Sequence, residues 1–156
     1  MTPEEVSKYH KQFPGDFCAA SAHEFIMKLH DKVKPDAFPL QSVPLNESAG
    51  FSFAPFLKSH GIEQHDTHLD ATTTMETIAE ETAKGRYPLI SKPERKIEGR
   101  IECHIYVAAR QGAEIIIINP ADGRAIASST KDSTQWIADI LAACTERPKI
   151  HILTYR

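Results

Sequence analysis

Two β-branched runs, residues 101–109 and 113–118, flank Arg110-Gln111-Gly112, and no other feature constrains the fold as tightly. Glycine serves the turn while Val and Ile suit a pleated strand, so the pattern predicts a hairpin of neighbouring antiparallel strands. Further strands are predicted to begin at Tyr87-Pro88-Leu89-Ile90-Ser91, to continue through 124–130, and to close the chain over 149–155.

Helical periodicity appears elsewhere. From Asp16, the apolar residues Ala22, Phe25, Ile26, Leu29 and Val33 fall on one helical face, with Asp16 as N-cap and Pro35 as stop. Residues 73–84 predict a second helix with Gly85 as C-cap, and residues 132–144 a third, carrying Trp136, Ile137, Ile140 and Leu141 on one face. Residues 35–50 hold Pro35, Pro39, Pro44 and Gly50 and read as a loop leading into a short aromatic-rich helix near 51–59. Residues 92–100 are charged, include Pro93 and Gly99, and read as a mobile surface loop. Helices first and antiparallel strands later predict an α+β fold. With 156 residues, 41% of them hydrophobic, one domain spanning 1–156 can build a core without metals or disulfides.

Composition narrows the partners. A net charge of −3, with no Lys/Arg stripe interleaved with aromatics, argues against nucleic acid. Cys18, Cys103 and Cys144 are odd in number and lack the short paired spacings of a zinc site or disulfide framework, which suits a reducing compartment. The acidic, polar start Met1-Thr2-Pro3-Glu4-Glu5 is unlike a secretory signal, and no apolar stretch is long enough for a membrane span. A cytoplasmic protein is expected, with export by a specialised secretion machine left open; no sign of oligomeric state is present. Gln64-His65-Asp66-Thr67-His68-Leu69-Asp70 holds metal-ligand residue types, but no matching spacing recurs, so it reads as a solvated loop. No metal and no cofactor are predicted.

Chemistry gathers around Cys18, in Asp16-Phe17-Cys18-Ala19-Ala20 at the expected first helical turn. A thiol becomes a good nucleophile on ionising, and a helix start favours the thiolate through its free N–H groups. Strand alternation puts Glu102, His104 and Tyr106 on one face and Cys103, Ile105 and Val107 on the other. Asn119 follows Ile115-Ile116-Ile117-Ile118, so a turn near Gly112 brings it toward His104, where its amide oxygen can accept from the ring and hold the tautomer. Gln12, six positions before Cys18, can add a side-chain N–H to the Cys18 backbone N–H as an oxyanion donor. Taken singly, each has a bland explanation: a small core residue, a half-buried histidine, an Asn-Pro turn former, a polar glutamine. Cys103 and Cys144 read as core. Phe51, Phe53 and Phe56 read equally as core or as subsite residues.

This order of Gln, Cys, His and Asn resembles the papain-like cysteine peptidase superfamily, and within it the bacterial bacteriocin-processing (double-glycine leader) peptidases. The likeness runs from about Gln12 to Tyr155 and includes Gly85-Arg86-Tyr87-Pro88-Leu89-Ile90 before the His strand, and Asn119-Pro120 closing the next strand. The chain departs from the pattern at Ala19-Ala20, where Gly-Pro or Gly-Ser-Cys is usual, and at Glu102-Cys103, where a Gly is frequent before the His. The resemblance implies a papain-like fold, with the nucleophile on the first helix and the helices packed on a C-terminal antiparallel sheet. It further implies Cys18 as nucleophile, His104 as base, Asn119 as orienter and Gln12 as oxyanion donor, acting on a peptide or protein substrate. Amide hydrolysis through a thioester is the leading expectation. Glutamine deamidation and acyl transfer use the same machinery and are the alternatives, an effector delivered into another cell among them, and a non-catalytic peptide-binding module is the rival from another class.

Overall fold

The computed structural model describes residues 2–9, 18–31, 61–68, 74–97, 100–120, 122–143 and 148–155. Its elements in chain order are α1 (Pro3–Tyr9), α2 (Cys18–Leu29), β1 (Ile62–His68), α3 (Thr74–Ala83), β2 (Leu89–Ile97), β3 (Arg100–Gln111), β4 (Glu114–Asn119), β5 (Arg124–Ala127), α4 (Thr130–Ala143) and β6 (Lys149–Tyr155). Six strands form one sheet in the order β1-β6-β2-β3-β4-β5, and every neighbouring pair is antiparallel. The fold is α+β.

At the centre is the expected hairpin. Its pairs run from Val107↔Ile118 to Gln111↔Glu114, so the turn is Gly112-Ala113, with Gly112 at φ 62° where a side chain would be strained. Alternation sends Ala108, Ile115 and Ile117 to one face, where they join Ile90, Ala127, Ile150 and Ile152 in a cluster closed by Ile78 of α3 and Ile137 of α4. Burying each fully enclosed isoleucine stabilises the fold by about 1.5–3 kcal/mol before entropy is counted. Val107, Ala109, Ile116 and Ile118 are buried on the other face, which α1 meets. α2 packs against both α1 and β3.

Helix ends have chemical causes. Around α1, the Thr2 N–H donates to Glu5 and the Glu5 N–H to Thr2 Oγ1 (2.9 and 3.2 Å), a reciprocal cap with Pro3 in the first helical position. α3 stops at Gly85 (φ 78°), where the Gly85 and Arg86 N–H groups return to Thr82 and Glu81 carbonyls. α4 starts two residues earlier than expected because Ser129 Oγ caps the Asp132 N–H at 3.1 Å.

Several expectations need correcting. Cys18 opens the second helix, since the capped α1 precedes it. α2 ends at Leu29, with Asp31 at φ 55°, well short of the expected stop at Pro35. Its described side chains are not buried on one face alone: Met27 and Lys28 are enclosed along with Ala22, Phe25, Ile26 and Leu29, as in a central helix. Residues 62–68 form strand β1, not a loop, paired along their length with β6 from Ile62↔Tyr155 to His68↔Lys149, so the sheet is not confined to the C-terminal half. Residues 92–97 and 100 are also strand: β2 and β3 pair out to Ile97↔Arg100, with a bulge between Pro93 and Arg95. A proline is tolerated at such a bulge. The expected helix near 51–59 lies outside the described residues. No helix among the described residues is long and apolar enough to cross a membrane.

Candidate active site

His104 sits where β3 passes from one neighbour to another. It pairs with Lys92 of β2, whereas the β3–β4 pairs begin only at Val107↔Ile118. One more step in that register sets Asn119 opposite Tyr106 and diagonal to His104 on the same face, a separation long side chains can span. The contact is made: His104 Nε2 lies 2.8 Å from Asn119 Oδ1, between two half-buried residues fifteen apart in sequence. An amide oxygen can only accept, so Nε2 carries the hydrogen and Nδ1 is the basic nitrogen of the neutral ring.

Asn119 is fixed by its backbone as well. Its carbonyl accepts the Gly123 N–H at 2.7 Å, closing the turn that leads into β5. α1 braces that turn, because Ser7 Oγ donates to the Gly123 carbonyl at 2.5 Å. Gly123 has φ 76°, and a Cβ placed there would come within 3.1 Å of the Ser7 Cα, so both backbone conformation and close approach require glycine. The N-terminal helix, which the sequence reading passed over, thus supports the turn bearing one of the candidate residues.

On the His104 face the surroundings are aromatic and charged. Tyr106 meets the imidazole edge-on and in turn meets Trp136 of α4, with both centroid separations 4.8 Å. Strand alternation puts Tyr106 on this face, but no spacing in the sequence joins it to Trp136 across thirty positions. Lys92 Nζ lies 3.6 Å from Glu94, and Glu94 accepts the Tyr106 hydroxyl at 3.3 Å.

Cys18 is the first residue of α2, the helix that packs on β3, and no acidic residue in its first turn opposes a thiolate. Gln12 lies outside the described residues, as do Cys144 and the phenylalanines Phe51, Phe53 and Phe56. Cys103 is the β3 residue before His104. His65, one of the ligand types weighed for a metal, stands exposed on edge strand β1 with its ring 4.0 Å from Glu63. A cavity of about 600 Å³ opens on the opposite sheet face, between α1 and the β4–β5 edge, lined by Glu4, Ser7, Gln111, Ile116 and Ile118 among others. Neither His104 nor Asn119 is among its described lining residues. The site therefore unites His104 with Asn119 and adds Tyr106 and Trp136 to them. Comparison with family models, with curated proteins and with solved structures found no match.

Proposed function

We propose that the chain is a papain-like cysteine hydrolase that opens an amide bond through a thioester. The observation that carries this reading is the 2.8 Å contact between His104 Nε2 and Asn119 Oδ1, which commits Nδ1 to act as the base. In the proposed reaction the Cys18 thiolate attacks the carbonyl carbon, and the oxyanion is held by the Cys18 N–H and the Gln12 side chain. A donor of that kind contributes about 2.7–4 kcal/mol. The His104 imidazolium then protonates the leaving amine, and neutral His104 takes a proton from the water that resolves the thioester. Peptides or proteins are the proposed substrates. If a second amine resolves the thioester in place of water, the same residues perform acyl transfer, and if the amide is a glutamine side chain they deamidate it.

The reading makes one demand on geometry. The Cys18 thiol has to reach Nδ1 of His104, which lies on the face where Tyr106 meets Trp136 of α4, and α2, the helix that Cys18 opens, packs on the same strand β3.

The test is labelling with a thiol-directed probe at about pH 6, followed by mapping of the modified cysteine. Cys18 should react first and ahead of Cys103 and Cys144, and His104→Ala should abolish the preference. Asn119→Asp should keep much of it, because a carboxylate also accepts the ring N–H, whereas Asn119→Leu should lose most. Equal labelling of the three cysteines, unchanged in His104→Ala, would leave the binding-module reading as the better one.

A further inference from the structure

Tyr106 is held from three directions. Its ring contacts the His104 ring at 4.8 Å between centroids and 67° between planes, and the Trp136 ring at 4.8 Å and 69°. Its hydroxyl donates to Glu94, which pairs with Lys92, the residue directly across the strands from His104. Three rings thus run edge-to-face from α4 to the imidazole. The far end of the row is firm, because α4 is tied to β4 by Ser133 Oγ donating to the Ile115 carbonyl at 2.7 Å and by the Thr130 N–H donating to Glu114.

A single hydrogen bond does not by itself hold the plane of an imidazole: the χ2 wells of histidine are broad, and turning about Cβ–Cγ swings the Nε2–H away from Asn119 Oδ1, after which either ring nitrogen can carry the proton. An aromatic edge against the ring removes that freedom, and Tyr106 meets the imidazole in this way. We propose that Tyr106, backed by Trp136, is a positioning residue that fixes the plane of the His104 ring and thereby the direction in which Nδ1 offers its lone pair. The consequence for catalysis rests on the cysteine-hydrolase reading, but the positioning itself is a property of the rings.

Filling the core is the competing role, since Tyr106 and Trp136 also pack against the central cluster. The experiment separates the two. With ¹⁵N-labelled histidine, at a pH where the ring is neutral, the two His104 nitrogens should give widely split signals, Nε2 protonated and Nδ1 bare; they are assigned among the eight histidines by their loss in His104→Ala. Tyr106→Leu should collapse the splitting as the tautomers mix, whereas Tyr106→Phe, which keeps the ring edge and loses only the hydroxyl, should preserve it. Trp136→Leu removes the backing without touching Tyr106 and should narrow the splitting, so the test survives if Tyr106→Leu fails to fold. Wild-type splitting in both leucine variants, with only the melting temperature lowered, would overturn the proposal and leave core filling. Cys18 alkylation is read in the same samples and should slow by up to about a hundredfold in Tyr106→Leu. A collapsed splitting with unchanged alkylation would uphold the positioning and sink the cysteine-hydrolase reading instead.

Discussion

β3 takes part in two hairpins that share a backbone pattern and differ in everything else. Toward its C-terminal end it pairs with β4, and the side chains there, Ile115 to Ile118 opposite Val107 to Arg110, are almost all covered on both faces. Toward its N-terminal end its partner among the described residues is β2, since the β4 pairs begin only at Val107, and β6 follows β2 only over Leu89 to Ser91. Beyond that point the two strands form an arm carrying Lys92, Pro93, Glu94, Arg95, Lys96 and Glu102. Ladder hydrogen bonds are the same in kind in both. What distinguishes them among the described residues is the strands beside them: β5 extends the sheet next to the covered hairpin, whereas neither β4 nor β6 pairs with the arm, so apolar patterning reports burial and not pairing. His104 lies at the junction, tied to the covered hairpin through Asn119 and running on into the arm.

The largest expected effect lies in the covered hairpin. Ile117 is completely buried, and Ile117→Ala should cost about 2–5 kcal/mol of unfolding free energy in urea titrations. Glu94→Ala in the arm should shift the same titration by about 1 kcal/mol or less, since it removes an exposed ion pair and an exposed hydrogen bond. Similar losses from the two would erase the distinction drawn between the hairpins.

Next comes the turn that ends the covered hairpin. Gly123→Ala must adopt a positive φ and push against the Ser7 backbone, so a loss of more than about 1 kcal/mol is expected. Because the same contact braces the Asn119 turn, Cys18 labelling should slow as well. A stable variant with unaltered labelling would detach α1 from the site.

These contrasts explain what could be read from the chain. The β3–β4 hairpin, the approach of Asn119 to His104, and three helices all rest on apolar periodicity, which burial imposes directly, and they are present with boundaries moved by a few residues. β1 and the arm are strands whose side chains are largely polar: Ile62-Glu63-Gln64-His65-Asp66-Thr67-His68 gains its order from pairing with β6, whose Ile150 and Ile152 supply the buried contacts. No local pattern announces such a strand. α1 is a different case. Thr2-Pro3-Glu4-Glu5 is a legible capping box, but seven residues offer too little periodicity to draw attention beside a longer helix. The ring contacts of Tyr106 with His104 and Trp136 depend on how α4 is seated on the sheet, which no spacing in the chain encodes.

A smaller effect is expected from pH at the start of the covered hairpin. Glu114 accepts the Thr130 backbone N–H and, secondarily, interacts with its hydroxyl, which holds its carboxyl below the ordinary value of 4.5. A lowered folded-state value means the unfolded chain binds the proton more readily, so this contribution is fully present above the unfolded-state value and is lost as pH falls through the folded-state one. Glu114→Gln should flatten that part of the acid limb of the stability curve. An unchanged limb would remove Glu114 as a cap of α4.

The smallest effect belongs to the arm. Lys92 and Glu94 are 3.6 Å apart with side chains 29% and 40% exposed, so water screens their attraction. A double-mutant cycle should give a coupling of about 0.2–1 kcal/mol that shrinks with added salt. The cycle is needed because Glu94 also accepts the Tyr106 hydroxyl, and a single Glu94→Ala change removes both contacts. A salt-insensitive coupling well above that range would mean the pair is shielded from water. The arm would then be a packed element like the β3–β4 hairpin, and His104 would be held from both ends of its strand.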